Sequence, residues 1–424
     1  MRLVDRLQQS KGDFGREAER HIASLLERLA AGRLRTPDGL IRLHETALFL
    51  RAFPQSPRIA RLADRILLSF PQRLRGIALG PFDDPKLSGI AGTAVSTNFS
   101  YPFALSLVQR HGAAVCIDWE NYERPDRLGS VLADLLPDAM EKYSVEPYVD
   151  WRPFLEAPGR GLPWLLKHVD PRTYDLLEVP LRWRMSAGAS RSGLRISCRQ
   201  PFYHRGPFIK RSEVSLEAEF AAPAIPTRRL SDAQARRILA MIVDASAARY
   251  RELWGFLHPD KRCIHHADLG RGVDLYWFGV ARDHRLPVRH YHGGMFFTNG
   301  VPTGYVEGLS AGGNMEIGFN LYYTFRDGET AWVFARILKL LRRETGVITF
   351  SVDPYQLGHH NEEAIDSGAF WFYCKLGFRP AAQEIARLVA REEARIASRP
   401  GYRSPPPVLR RLAAAPLIYS IRSV

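Results

Sequence analysis

Eight of the 13 histidines fall between positions 258 and 360: His258, His265, His266, His284, His290, His292, His359 and His360. His290 and His292 stand two apart in a run that reads as a strand. Both imidazoles then share one face, a spacing able to serve one metal ion, with Asp260 or Asp268 as a third ligand. No H-E-x-x-H or two-His-one-carboxylate spacing accompanies them, and no metal is expected. His359 and His360, next to Asn361, could instead give or take a proton. Asp118 and Glu120 follow the apolar run Ala113–Ile117, and carboxylates beyond a strand end are a common place for a site in α/β folds. Elsewhere the aromatics Phe370, Trp371, Phe372 and Tyr373 follow a small pair, Gly368-Ala369, and lead into Cys374-Lys375-Leu376-Gly377-Phe378. No G-x-S-x-G nucleophile elbow and no G-x-G-x-x-G dinucleotide loop is present.

The elements that must position these residues are legible in part. Ile22, Leu25, Leu26 and Leu29 follow helical spacing, and the pattern recurs across Leu40–Leu48 and Ile59–Leu67, with Pro54 and Pro57 between the last two. Three short helices are predicted over residues 14–76. Leu194–Cys198 and Glu213–Phe220 alternate apolar and polar residues and are expected as strands. Ser231-Asp232 caps a helix that continues to about Trp254. Strands are then expected at Val273–Val280, Arg289–Thr298 and Thr303–Leu309, with Asn299-Gly300 as the hairpin turn between the last two. Met315–Phe325 reads as a further strand, Thr330–Thr345 as an amphipathic helix, Val347–Val352 as a buried strand and Asn361–Tyr373 as a helix.

The Y-x-K-x-G-F ending of Asn361–Pro380, together with this order of hairpin, strand, helix, strand, helix and strand, resembles the GNAT superfamily of N-acetyltransferases. The likeness covers about residues 273–380. It implies a mixed sheet whose strands Met315–Phe325 and Val347–Val352 splay apart around the pantetheine arm of acetyl-CoA or another acyl-CoA. By the same resemblance Tyr373 is the general acid that protonates the departing thiolate. Glu316, or Glu307 on the preceding strand, is the base that deprotonates an amine, and Asn361 contacts the pantetheine. The family's pyrophosphate loop, Gln/Arg-x-x-Gly-x-Gly/Ala, corresponds to Arg326-Asp327-Gly328-Glu329-Thr330-Ala331, which makes Arg326, Gly328, Thr330 and Ala331 candidates for holding the carrier. Glu329 stands where the first glycine belongs. Its carboxylate must either turn away from the helix N-terminus or occupy the anion site itself. Asp327 has the residue type of an N-cap that would compete for the same amides.

Composition sets the frame. Residues number 424, with 46% hydrophobic, so two or three domains are expected. Net charge is +14, with Arg supplying 51 of 59 basic residues, which attracts polyanions such as nucleic acid or phosphorylated carriers. Four scattered cysteines and a polar start without an apolar h-region fit a cytoplasmic protein, and no apolar run is long enough for a membrane span. The expected fold is α/β (α+β): a GNAT-like mixed sheet flanked by helices, with a helical N-terminal unit. Boundaries are placed at 1–80 for that unit, 81–180 for a mixed α/β segment, 181–395 for the GNAT-like domain and 396–424 for a basic tail. The expected activity is acyl transfer from acyl-CoA or another carrier to an amine on a small molecule or protein, with acyl carrier protein as a further partner. Two alternatives stand beside it: a Fem-like transferase using aminoacyl-tRNA, and a degenerate GNAT fold acting as a binding or scaffold protein.

Overall fold

The computed structural model describes residues 3–145, 149–198 and 200–421. Its centre is a nine-stranded mixed sheet flanked by helices. The strand order is Arg379–Pro380, Leu417–Ser420, Thr349–Val352, Asn314–Leu321, Val301–Ala311, His290–Thr298, Val273–Gly279, His265–Gly270 and Thr227–Arg229. All neighbours run antiparallel except Thr349–Val352 and Asn314–Leu321. The hairpin turns at Asn299 and Gly300, whose φ values of 47° and 81° are those of a primed turn matching the strand twist. Asn299 does more than turn the chain. Its buried amide donates to the Ala52 and Phe202 carbonyls, and its side-chain oxygen accepts from the Phe202 amide.

Each face of the sheet is covered by different parts of the chain. Met315, Ile317 and Phe319 point to one face, where helix Thr330–Thr345 lays down Phe334, Ile337, Leu338 and Leu341. That helix begins after a primary run of small and polar residues and stops at Gly346, which takes the left-handed conformation open to glycine. Tyr276, Phe278, Met295 and Tyr305 point to the other face, against the N-terminal helices. Those helices are Arg16–Ala31, Pro37–Ala52 and Pro57–Leu68, preceded by Leu3–Ser10. Thr36 and Ser56 cap two of them, each followed by proline at the first helical position, where its missing N–H is harmless. The helical unit shares one apolar core with the sheet, so it is not a separate body.

Residues 94–185 build a smaller unit with a core of its own around Trp183, Leu165 and Phe103. Its three strands lie in the order Ala94–Asn98, Pro180–Arg184, Val115–Ile117.

Several expectations are corrected here. Pro180–Arg184 belongs to the small sheet, so 181 does not open the large-sheet domain. The segment expected as a tail, 396–424, is not one over its described residues 396–421: Pro406–Leu412 is a helix and Leu417–Ser420 an inner strand, completing hydrogen bonding that Thr349–Val352 would otherwise lack. Glu213–Phe220 is not a strand. Ser215 caps helix Leu216–Ala221 by accepting from the Ala218 amide, and a local cap outcompetes a marginal alternation. Leu194–Cys198 buries Leu194 and Ile196 without a ladder, with only the Ile196 amide reaching the Gly300 carbonyl. Asn361–Tyr373 is two helices, Glu362–Ser367 and Ala369–Cys374, because Gly368 at φ 69° breaks the run. No helix among the described residues is long and apolar enough to cross a membrane.

Candidate functional site

A fork in the sheet makes the site. Thr349–Val352 and Asn314–Leu321 pair over three positions only, Thr349 with Asn314, Phe350 with Met315 and Ser351 with Glu316. Asn314–Leu321 then continues for five residues without that partner, while the other strand ends and turns at Asp353, which caps the short helix Pro354–Leu357. Strands normally lie about 4.8 Å apart, so losing the ladder opens space between two backbones whose N–H and C=O groups still face it. A cavity of about 510 Å³ lies beyond the end of the shorter strand, lined by Phe319, Asn320 and Leu321 of the longer one and by Gln356 of the helix that follows the shorter.

Six residues singled out from the sequence line this cavity: Arg326, Gly328, Thr330, Ala331, Asn361 and Tyr373. Helix Thr330–Thr345 points its N-terminus into it, and no side chain caps that end. Unsatisfied first-turn amides and the helix dipole favour an anion at such a place. Arg326 spans the wall, with its guanidinium 2.7 Å from Glu363 and over the Tyr323 ring. Gly328 is where the helical unit presses in: a Cβ there would lie 2.5 Å from the Phe53 ring.

Glu329 does not reach this anion site. Its side chain is 3% exposed and turns away, bonded by Arg271 at 2.7 and 2.5 Å and by the Ile209 amide at 2.9 Å, with His204 Nε2 3.5 Å away. Burial alone would raise the Glu329 carboxyl. The close approach of His204, the hydrogen bonds from Arg271 and Ile209 and the Arg271 charge override it and hold the group down at about 2. Asp327 leaves the amides free as well, since it pairs with Lys11 at 2.7 Å.

Tyr373 is 3% exposed, at the inner wall, beside Phe334 and Phe378. Burial pushes its hydroxyl well above the usual tyrosine range, so it stays protonated at neutral pH. Asn361 is occupied by the backbone: its oxygen caps Glu362–Ser367 through the Ala364 amide, and its nitrogen donates to the Tyr355 carbonyl.

Neither carboxylate expected as a base lines the cavity. Glu316 sits at the last paired position and lies 3.4 Å from Arg289. Glu307 lies across the sheet from Gly318, at the start of the fork, and on the same face as Gly318. A Cβ on Gly318 would touch the Gln356 amide at 3.3 Å, and Gln356 lines the cavity. Glycine here thus leaves room for the Gln356 side chain beside the strand position opposite Glu307. Burial raises the Glu307 carboxyl, and a hydrogen bond from Tyr291 partly opposes that rise.

The remaining sequence candidates lie elsewhere. His290 and His292 border a second cavity of about 270 Å³ together with Asp260 and His265. His292 bonds Ser310, and burial with the neighbouring His290 lowers it to about 4. Asp268 instead bonds the Gly270 amide. Among the described residues no three His, Cys, Asp or Glu side chains converge as a cation cage. His359 and His360 are exposed and outside the fork cavity. Asp118 is buried and structural, bonded by Ser96 and Asn121. Sequence reading missed Phe208, Ile209, Lys210 and Arg211, which form the other wall. Their only signal was two adjacent cations in a stretch without periodicity.

Comparison with known protein families, curated proteins and solved structures returns no match.

Proposed function

We propose that the chain is an acyltransferase that moves an acyl group from the pantetheine thioester of acyl-CoA to an amine. The carrying observation is the fork, with an uncapped helix N-terminus facing its cavity and the carboxylate of Glu329 turned into an ion pair with Arg271. An extended pantetheine arm suits a gap between two strands, because its amides can replace the lost ladder partners. The first-turn amides at Thr330 and Ala331 suit a pyrophosphate. Both features resemble GNAT enzymes, and together they favour a carrier-bound donor over a scaffold role.

In this reading the amine nitrogen attacks the thioester carbonyl carbon and the carbon–sulfur bond breaks. Glu307 takes the proton from the amine, and Tyr373 supplies the proton that leaves with the thiol. A carboxylate with a raised affinity for protons is a better base than an ordinary one, and a hydroxyl kept protonated by burial can act as the acid. Glu316 is the weaker candidate, because Arg289 shares its charge.

Thermal shift and calorimetry with acetyl-CoA, a loaded acyl carrier protein and aminoacyl-tRNA test the reading. Acetyl-CoA should stabilise the protein, and Thr330→Asp should weaken binding by about tenfold or more. An aspartate there favours the helix N-terminus itself while repelling phosphate, so the fold stays intact. No stabilisation by acetyl-CoA, or binding indifferent to Thr330→Asp, overturns the reading.

A further inference from the structure

One tyrosine near Glu307 is held in a way that plain packing does not require. Tyr291 lies on strand His290–Thr298, two residues before Gly293, and Gly293 is directly opposite Glu307 in the ladder. The tyrosyl ring leans over Gly293 along the strand, so that its hydroxyl donates to Glu307 Oε1 at 2.6 Å. Glycine is needed at Gly293, where a Cβ would stand 2.8 Å from the ring. The ring also meets Gly255, in the short helix Trp254–Leu257, where a Cβ would stand 1.9 Å away. Two glycines from separate elements thus leave a slot for the ring, and Trp254 packs against it edge to face with ring centroids 5.6 Å apart. Held so, the hydroxyl has one acceptor.

We propose that Tyr291 is a positioning residue for Glu307 in the transfer reaction, an inference that rests on the acyltransferase reading above. By occupying Oε1, the tyrosine fixes the carboxylate rotamer and leaves Oε2 as the atom that receives the amine proton over Gly318. Among the described residues Oε2 has no hydrogen-bond partner, and it is not among the buried side-chain atoms that lack one. The titratable groups facing this carboxyl are few. Tyr291 and Tyr305 approach from the adjoining strand positions, and Arg251 and Glu363 act on Tyr305 without pairing with Glu307. A hydrogen bond to the ionised form favours that form, so Tyr291 also keeps Glu307 deprotonated at lower pH than burial alone would allow.

The test is Tyr291→Phe, which keeps the ring in its slot and removes only the donor. Carbon-13 NMR of glutamate-labelled protein, with the Glu307 signal assigned through Glu307→Gln, follows the carboxyl directly and needs no substrate. Its titration should move up by roughly one pH unit in Tyr291→Phe. With acetyl-CoA and ethylamine as probes, the acid limb of the rate profile should move up by the same amount, so that turnover falls about tenfold at low pH and recovers at high pH. An unmoved Glu307 titration overturns the proposal. So does a uniform loss of rate at all pH values, which would mark a packing role. If Glu307→Gln is as active as wild type, the choice of base fails and the proposal with it. That outcome is told apart because the NMR shift in Tyr291→Phe would persist.

Discussion

Glu329→Gln is the sharpest probe of how this chain keeps the N-terminus of helix Thr330–Thr345 uncapped. The side chain is buried and carries three hydrogen bonds, two from Arg271 and one from the Ile209 amide. The fall of its carboxyl from 4.5 to about 2, at 1.36 kcal/mol per pH unit, is worth roughly 3 kcal/mol of stability at pH 7. Because the folded value lies below the unfolded one, that stability is present above about pH 4.5 and lost as pH falls toward 2. Glutamine has nearly the same shape as the protonated acid, so the variant should lose roughly 3 kcal/mol at pH 7 and about 2 kcal/mol at pH 3.5. Urea denaturation followed by tryptophan fluorescence at the two pH values measures both gaps. Equal gaps, or a gap below about 1 kcal/mol at pH 7, would refute the ion-pair reasoning. Glu329→Gly is expected to destabilise as well, since it strands Arg271 and the Ile209 amide.

Tyr373→Phe should lower turnover about a hundredfold with little change in melting temperature, because Tyr373 lines the cavity and phenylalanine keeps the ring; unchanged turnover would leave Tyr373 as a wall residue only. Asn361→Ala should cost about 1 kcal/mol of stability through the lost cap, with Asn361→Asp retaining it, as read by chemical denaturation. Gly328→Ala should destabilise by about 1–3 kcal/mol, since the new methyl meets the Phe53 ring at 2.5 Å. A neutral result in that denaturation series would mean that the helical unit yields at this contact.

Local signals carried much of the architecture. Three of the N-terminal helices, helix Thr330–Thr345, the Asn299-Gly300 hairpin and the strands beside it were legible, because periodicity, caps and turn chemistry act over a few residues. It was the motif resemblance, not periodicity, that named Arg326, Gly328, Thr330, Ala331, Asn361 and Tyr373, which the fold gathers around one cavity. Long-range pairing was out of reach. Leu417–Ser420 looked like part of a tail because its strand character rests on neighbours from 349–352 and 379–380. Where Glu329 points could not be read either: its sequence neighbours leave the carboxylate free to turn toward the helix N-terminus, and Arg271, 58 positions away, with the Ile209 amide, draws it out. Likewise the pairing of Tyr291 with Glu307 follows from strand register and two glycines on different elements. The sequence therefore determined the strongly periodic helices, the hairpin and the residue types at hand, but not the marginal segments 213–220 and 417–420. Tertiary structure decided which charges are neutralised and which backbone groups stay open, because burial and ion pairing depend on partners that only folding brings within a few ångströms.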